Sequence, residues 1–315
     1  MNRLGAINMW QKGDRKMKRA GRSVIVEMLA ALILTGCTKE KKEQMPKEET
    51  DKIQVMASFF PMYDFAQKIG GDRAEVTNMV PAGTEPHDWE PSTKDIQKLE
   101  MADMFIYSGE EMEYWAEDVL TSVETNKLEV VEASKTVDKL KEEGVSDPHV
   151  WLDPMNAKLE LEQIKEGFLK VDPENSEYYE KNYETCVDRL EELDRQFEEI
   201  ISKCEKKEIV VYHEAFGYLC NAYGLLQVGI TGISPEEEPS PKQMEEVIHF
   251  IQEKDVTTIF FEALSSSKTA EIIAEETGVK TEILNPLEGP GVGENQGDYF
   301  SIMENNLKVL KEALQ

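Results

Sequence analysis

SEYYEKNYETCVDRLEELDRQFEEIISKC, residues 176–204, sets apolar side chains at Tyr179, Tyr183, Cys186, Leu190, Leu193, Phe197, Ile200 and Cys204 on an otherwise charged background. Steps that alternate between four and three residues follow one face of a helix, so the stretch reads as a single long amphipathic helix. At 1.5 Å per residue it extends about 45 Å, enough to run along a small domain or to bridge two. Cys186 and Cys204 would lie about 27 Å apart on it, too far for a disulfide, and read as members of the buried stripe.

Working outward from this helix, β-rich apolar runs alternate with amphipathic segments on both sides. Strands are expected at Ile53 to Phe59, Met104 to Ser108 and Leu128 to Val131 before it, and at Ile209 to Tyr212, Leu226 to Thr231, Val256 to Phe261 and Thr281 to Leu284 after it. Alternation of this kind predicts parallel sheets with helical crossovers: an α/β fold of two similar parallel-sheet lobes flanking one long helix. Ser92-Thr93-Lys94-Asp95 has the form of a capping box, Ser240-Pro241 opens a helix whose core face is Met244, Val247, Ile248 and Ile251, and Gly278 closes the next one. The expected organisation is a signal segment at 1–37, a tether at 38–50, a first α/β lobe at 51–173, the linking helix at 174–205 and a second lobe at 206–315.

The first 37 residues read as a secretion signal. Lys16, Lys18, Arg19 and Arg22 precede an apolar run from Val24 to Leu34, which is too short to span a bilayer comfortably and ends in Leu34-Thr35-Gly36-Cys37. That ending resembles the bacterial lipobox, in which the cysteine becomes a lipidated N-terminus, so Cys37 is the expected anchor on the extracytoplasmic face of a membrane. Glu27 departs from the pattern by placing a charge inside the apolar run, and Met17 offers a second start. Residues 38–50, TKEKKEQMPKEET, are too polar to fold alone. With 35 basic and 63 acidic side chains the net charge is −28, which excludes nucleic acid as a natural partner and suits an exported, soluble, monomeric domain. Beyond Cys37 only Cys186, Cys204 and Cys220 remain, an odd number without a CxxC pair, so neither a disulfide framework nor a cysteine zinc module is expected.

Chemistry concentrates in the histidines. Three of the four occupy segments rich in Pro, Asp and Gly: His87 in PAGTEPHDWEPS, His149 in SDPHVWLDP and His213 in VVYHEAFGY. Such segments favour ligand binding over core packing, and neutral imidazole suits Zn²⁺. Separations of 62 and 64 residues lie far outside zinc-finger spacing, so only the fold could bring them together. His213 follows a strand, at the carboxyl end where open α/β sheets bind ligands. His249 falls off the apolar stripe of its helix and is expected at the surface. Asp147, Asp153, Asp88 and Glu214 are the acids placed to orient the three imidazoles, while Trp89 and Trp151 are expected to pack the loops.

These motifs, together with SFFPMYDFAQKIGGD (58–72), EPSTKDIQKLEMADMFIYSG (90–109), TGISPEEEPSP (231–241), IFFEALSSSKTAEIIAEETG (259–278) and LNPLEG followed by DYFSIMENNL, resemble the zinc and manganese solute-binding lipoproteins of bacterial ABC transporters. The resemblance covers residues 51–315. It implies a rigid linking helix, a metal site in the cleft between the lobes, and delivery of the ion to the permease and ATPase subunits of an importer. His87 and His149 match the ligand positions of the first lobe, and His213 and Glu288 those of the second. Manganese-binding relatives tend to carry carboxylates at both second-lobe positions, so His213 argues for Zn²⁺ over Mn²⁺. Residues 133–147 lack the His-rich insert of many zinc-binding relatives.

Two other classes share part of this pattern. His213-Glu214 begins like the metalloprotease motif HExxH, but Gly217 stands where the second histidine belongs, and four protein ligands leave no open position for an activated water; no enzymatic activity is expected. A surface adhesin with a structural zinc is compatible with anchoring at Cys37 and differs in that its metal should leave only on unfolding.

Overall fold

A computed structural model describes residues 52–124, 127–142, 144–236, 238–262, 268–289 and 297–315. The signal segment, Cys37 and the tether lie outside the described residues. Strands β1 (Ile53–Ala57), β2 (Ala74–Asn78), β3 (Met104–Tyr107) and β4 (Glu129–Glu132) form one parallel sheet in the order β2-β1-β3-β4. After a short antiparallel hairpin, β5 (Lys141–Glu142) and β6 (Val145–Ser146), strands β7 (Glu208–Val211), β8 (Leu226–Gly229), β9 (Thr258–Phe261) and β10 (Lys280–Ile283) form a second parallel sheet in the order β10-β9-β7-β8. Each sheet begins at an inner strand, adds its second strand on one side and its third and fourth on the other. The two therefore share one topology, and the expected two-sheet α/β architecture is present.

Helices α1 (Phe60–Gly70), α2 (Thr93–Leu99), α3 (Ala116–Ser122) and α4 (Pro154–Val171) accompany the first sheet. The long helix α5 (Ser176–Ser202) follows, then α6 (Gly217–Tyr223), α7 (Pro241–Glu253), α8 (Lys268–Thr277) and α9 (Tyr299–Leu314). The capping boxes at Ser92/Asp95 and Ser240/Gln243 are both formed, and Gly278, at φ +75°, donates its N–H to Ala274 to close α8.

Helix α5 is shorter than its apolar pattern. Pro173–Asn175 forms a separate 3₁₀ turn, and Cys204 lies two residues past the helix end while staying buried. Ile201, rather than Ile200, completes the buried stripe of Tyr179, Cys186, Leu190, Leu193, Phe197 and Ile201. A strict 3.5-residue repeat drifts by about 20° per heptad on a 3.6-residue helix, so after three heptads the next position inherits the buried face. Strand β2 gave no sequence signal because AEVTN is an edge strand with only Ala74 buried.

One continuous apolar core joins the inner sides of the two sheets. It contains Val55 and Ala57 of β1, Phe65 and Ile69 of α1, Leu161 and Phe168 of α4, the α5 stripe, Ile209 and Val211 of β7, and Phe300, Met303, Leu307 and Leu310 of α9. The outer sides of the sheets carry separate clusters. At its start α9 is tied to α1 and α5: Tyr299 N–H donates to Asp64 (3.2 Å), Asp298 pairs with Lys68 (3.0 Å), and the Arg189 guanidinium of α5 lies 3.7 Å from the centre of the Phe300 ring. Cys186, Cys204 and Cys220 are all buried and unpaired. No helix among the described residues is long and apolar enough to cross a membrane.

Candidate metal centre

Four loops from distant parts of the chain converge at the carboxyl ends of the strands. His87 lies in the loop after β2, His149 follows β6, His213 lies two residues past the end of β7, and Glu288 comes from the loop after β10. His149 and His213 are fully buried, Glu288 is 2% exposed and the His87 side chain 10%, so His87 forms the edge nearest solvent.

The donor atoms form a compact set. His87 Nε2 lies 3.2 Å from His149 Nε2, and His149 Nε2 lies 3.3 Å from His213 Nε2. Glu288 Oε1 is 3.0 Å from both His87 Nε2 and His149 Nε2 and 3.4 Å from His213 Nε2. In a tetrahedral zinc site with bonds of about 2.0–2.1 Å, adjacent donors lie about 3.3 Å apart, which is the spacing seen here.

Hydrogen bonding fixes which nitrogens face inward. Asp147 Oδ1 lies 2.8 Å from His149 Nδ1 and also accepts the His149 N–H at 2.9 Å. Glu262 Oε1 accepts from His213 Nδ1. A carboxylate can only accept, so both Nδ1 atoms carry a proton, and each ring, once it gives up its other proton, turns an Nε2 lone pair toward the other donors. Lone pairs in such proximity repel one another, and a cation among them reverses the sign of that interaction.

Without a cation, the surrounding carboxylates favour the charged imidazoles. Burial opposes charging His149, but the hydrogen bonds of Asp147 and Glu288 outweigh it and hold its pKa above the usual imidazole value. Burial also acts against His213, and the negative charges of Glu262 and Glu288 raise it well above that value. Burial raises Glu288, yet the imidazoles of His213 and His87 and the hydrogen bond of His149 hold it well below the usual carboxylate range. Glu85, whose Oε1 accepts the His87 N–H at 3.3 Å, is pushed up to about 8 by burial and by the charge of Glu288. With its proton on, Glu85 adds no second negative charge beside the centre.

Of the four acids expected to orient the imidazoles, Asp147 reaches its histidine. Asp153 caps α4 through the Met155 N–H (2.8 Å), Asp88 is exposed, and Glu214 accepts the Gly229 N–H (3.3 Å). The partner of His213 is instead Glu262, which follows β9, and Glu85 and Glu262 form a second acidic group with Glu288. Neither Glu85 nor Glu262 stands out in the sequence as a site residue. The usable signal at Glu262 is its place just after an apolar strand, as His213 stands just after another. His249 is exposed, as expected. Trp151 is fully buried: its Nε1–H donates to Pro286 O (2.7 Å) and its ring stands edge-on to Phe59, while Trp89 packs on Trp115.

The loop that presents Glu288 is built differently from the histidine loops. Asn285 N–H donates to Asn306 Oδ1 (3.0 Å), Asn306 Nδ2 donates to Asn285 O (2.6 Å), and Leu287 N–H donates to Asn285 Oδ1 (2.7 Å). Leu287 is fully buried at φ +62°, a conformation that costs a branched side chain about 1–3 kcal/mol.

Fold and donor cluster together define a metal-binding α/β protein built on two parallel sheets and a long helix. Comparison with known proteins makes this specific: the chain matches the family described as zinc-uptake complex component A, periplasmic (ZnuA), over residues 55–313, and it belongs to that family. It is 38% identical over 300 residues to the high-affinity zinc uptake system protein ZnuA of Bacillus subtilis, covering 90% of this chain and 94% of the relative. The solved laminin-binding protein Lmb of Streptococcus agalactiae, described as bifunctional with adhesin and metal-transporting activity, superposes with a TM-score of 0.79 at 35% identity, over 84% of this chain and 100% of that one. The Zn(II)-bound ZnuA-like domain of Streptococcus pneumoniae AdcA superposes at 0.74 with 37% identity, over 84% and 99%. The chain spans about 60% of the length of the whole AdcA lipoprotein.

Proposed function

We propose that this protein is an extracytoplasmic receptor that captures Zn²⁺ with His87, His149, His213 and Glu288 and delivers it to the permease and ATPase subunits of an ABC-type importer. The observation that carries the reading is the spacing of three imidazole nitrogens and one carboxylate oxygen, held by four separate loops at distances suited to one small cation. Three nitrogen donors favour zinc over manganese, which prefers oxygen. The zinc-uptake and zinc-bound relatives support the same choice. Cys37 supplies the lipid anchor, residues 38–50 the tether, and residues 51–173 and 206–315 act as lobes about the linking helix at 174–205. The role is carriage rather than catalysis: with all four donors supplied by the protein, no position is left for an activated water.

A test starts from metal-free protein beginning after Cys37 and compares Zn²⁺ and Mn²⁺ in competition, alongside His213→Ala. One tight equivalent of Zn²⁺ that displaces Mn²⁺, leaves on chelation without unfolding and is weakened by the substitution is expected. Preference for Mn²⁺ would overturn the assignment of the ion. The likeness to Lmb favours a second reading, surface adhesion with a structural zinc; loss of the metal only together with the fold would support it.

A further inference from the structure

The three histidines and the one carboxylate are supported in unlike ways. His213 lies two residues past the end of β7, and His149 is locked by Asp147 on both its ring and its main chain. Glu288 has behind it a turn at residues 285–287 whose main chain makes three hydrogen bonds to the side chains of Asn285 and Asn306. Asn306 lies on α9, eighteen residues beyond Glu288, and is fully buried. It satisfies both the N–H and the carbonyl of Asn285, as a neighbouring strand would, just where β10 has ended at Ile283. Within that turn Leu287 is kept in the left-handed region, which a leucine adopts only when its surroundings impose it.

We propose that Asn306 is a positioning residue for the metal centre: by clamping Asn285 it keeps the left-handed turn at Leu287 closed, and the closed turn holds Glu288 among the histidines. Opening of this turn is then the step that withdraws the single oxygen donor and leaves the ion on three imidazoles. The inference rests on the zinc-receptor reading above. It adds to it a residue that touches no donor, on a helix anchored to α1 through Tyr299 and Asp64. A polar clamp at this place has a clear physical use. Its bonds are strong enough to impose the turn, and they can be exchanged for water when the loop opens.

The test is a double-mutant cycle on the metal-free protein, with Zn²⁺ affinity read by competition against a chromophoric chelator and with Co²⁺ as a spectroscopic probe. Asn306→Ala is expected to weaken zinc about 10–100-fold, as is usual for residues that orient ligands, and to lower the intensity of the tetrahedral cobalt bands. In a Glu288→Ala background the same substitution is expected to change zinc affinity little, because its effect passes through Glu288. Asn285→Ala, which removes only the bond to the Leu287 N–H, gives a milder loss of the same kind and serves if Asn306→Ala fails to fold. Unchanged affinity in folded variants, or an equal loss with and without Glu288, would overturn the inference while leaving the receptor intact. Absence of a tight zinc equivalent in the unsubstituted protein would overturn both.

Discussion

His213 shows what a single residue contributes here. It lies just past the end of β7, is fully buried, and donates its Nδ1–H to Glu262, so its Nε2 faces His149 and Glu288. Removing that support with Glu262→Ala is expected to reduce zinc affinity about 10–100-fold. Glu214→Ala, at the acid adjacent in sequence, should leave affinity near that of the unsubstituted protein; competition titrations separate the two. The pH dependence follows from the same contacts. In the metal-free protein His149 and His213 keep their protons above the ordinary imidazole range, and each proton must leave before its nitrogen can bind a cation. Zinc affinity is therefore expected to fall throughout a descent from about pH 8 to about pH 5, beginning above the usual imidazole midpoint. An affinity flat over that interval would contradict histidine ligation. Residue identity alone revealed three loop histidines. Their convergence and the pairing of His213 with Glu262 depend on strand order, which their spacing does not encode.

Among the elements, α5 is the one its own sequence defines most fully, because a charged background makes the apolar period visible. Phe197 is fully buried on its core face. Phe197→Ala is expected to destabilise the protein by about 3–5 kcal/mol, whereas exposed Glu198→Ala should change stability by less than about 0.5 kcal/mol; denaturant midpoints at constant slope check both. Helix α4 adds a steric case. A Cβ on Gly167 would meet Val131 Cγ2 at 2.6 Å and Met104 Sδ at 2.8 Å, so the helix lies against the first sheet at a distance only glycine permits. Edge strand β2 and the clamp between Asn285 and Asn306 were not legible. The first has too little apolar content to show a period, and the second joins residues whose contact exists only once α9 packs against the core.

Seen as a whole molecule, two sheets of one topology put the equivalent crevice to different uses. In the second sheet the point where strand order reverses, between β7 and β9, holds His213 and Glu262. Between β1 and β3 of the first sheet the same place is filled by Glu113, whose carboxylate accepts from the Ser58 hydroxyl and, at 3.0 Å each, from the N–H groups of Ser108 and Gly109. Glu160 lies beside it, bonded to the Ser108 hydroxyl at 3.4 Å. Burial pushes Glu113 up to about 7 and Glu160 up to about 8. Both folded pKa values are raised, so their contribution to stability is fully present below the unfolded value near 4.5 and is lost progressively as pH rises from there, the loss being complete once pH has passed about 7 for Glu113 and about 8 for Glu160. Replacing both by Gln should remove that loss, so the stability difference between variant and parent changes by a few kcal/mol across this window. Zinc acts on the entire fold as well: free ion at a hundredfold excess over Kd should add about 2.7 kcal/mol to the stability of the metal-free protein.

Whether three imidazoles and one carboxylate hold the cargo ion is read from X-ray absorption at the zinc edge of protein loaded with one equivalent. Four light-atom donors at about 2.0–2.1 Å are expected, with outer-shell scattering from three imidazole rings that falls to two in His213→Ala. Sulfur at about 2.3 Å, or a shell without imidazole scattering, would contradict that ligand set.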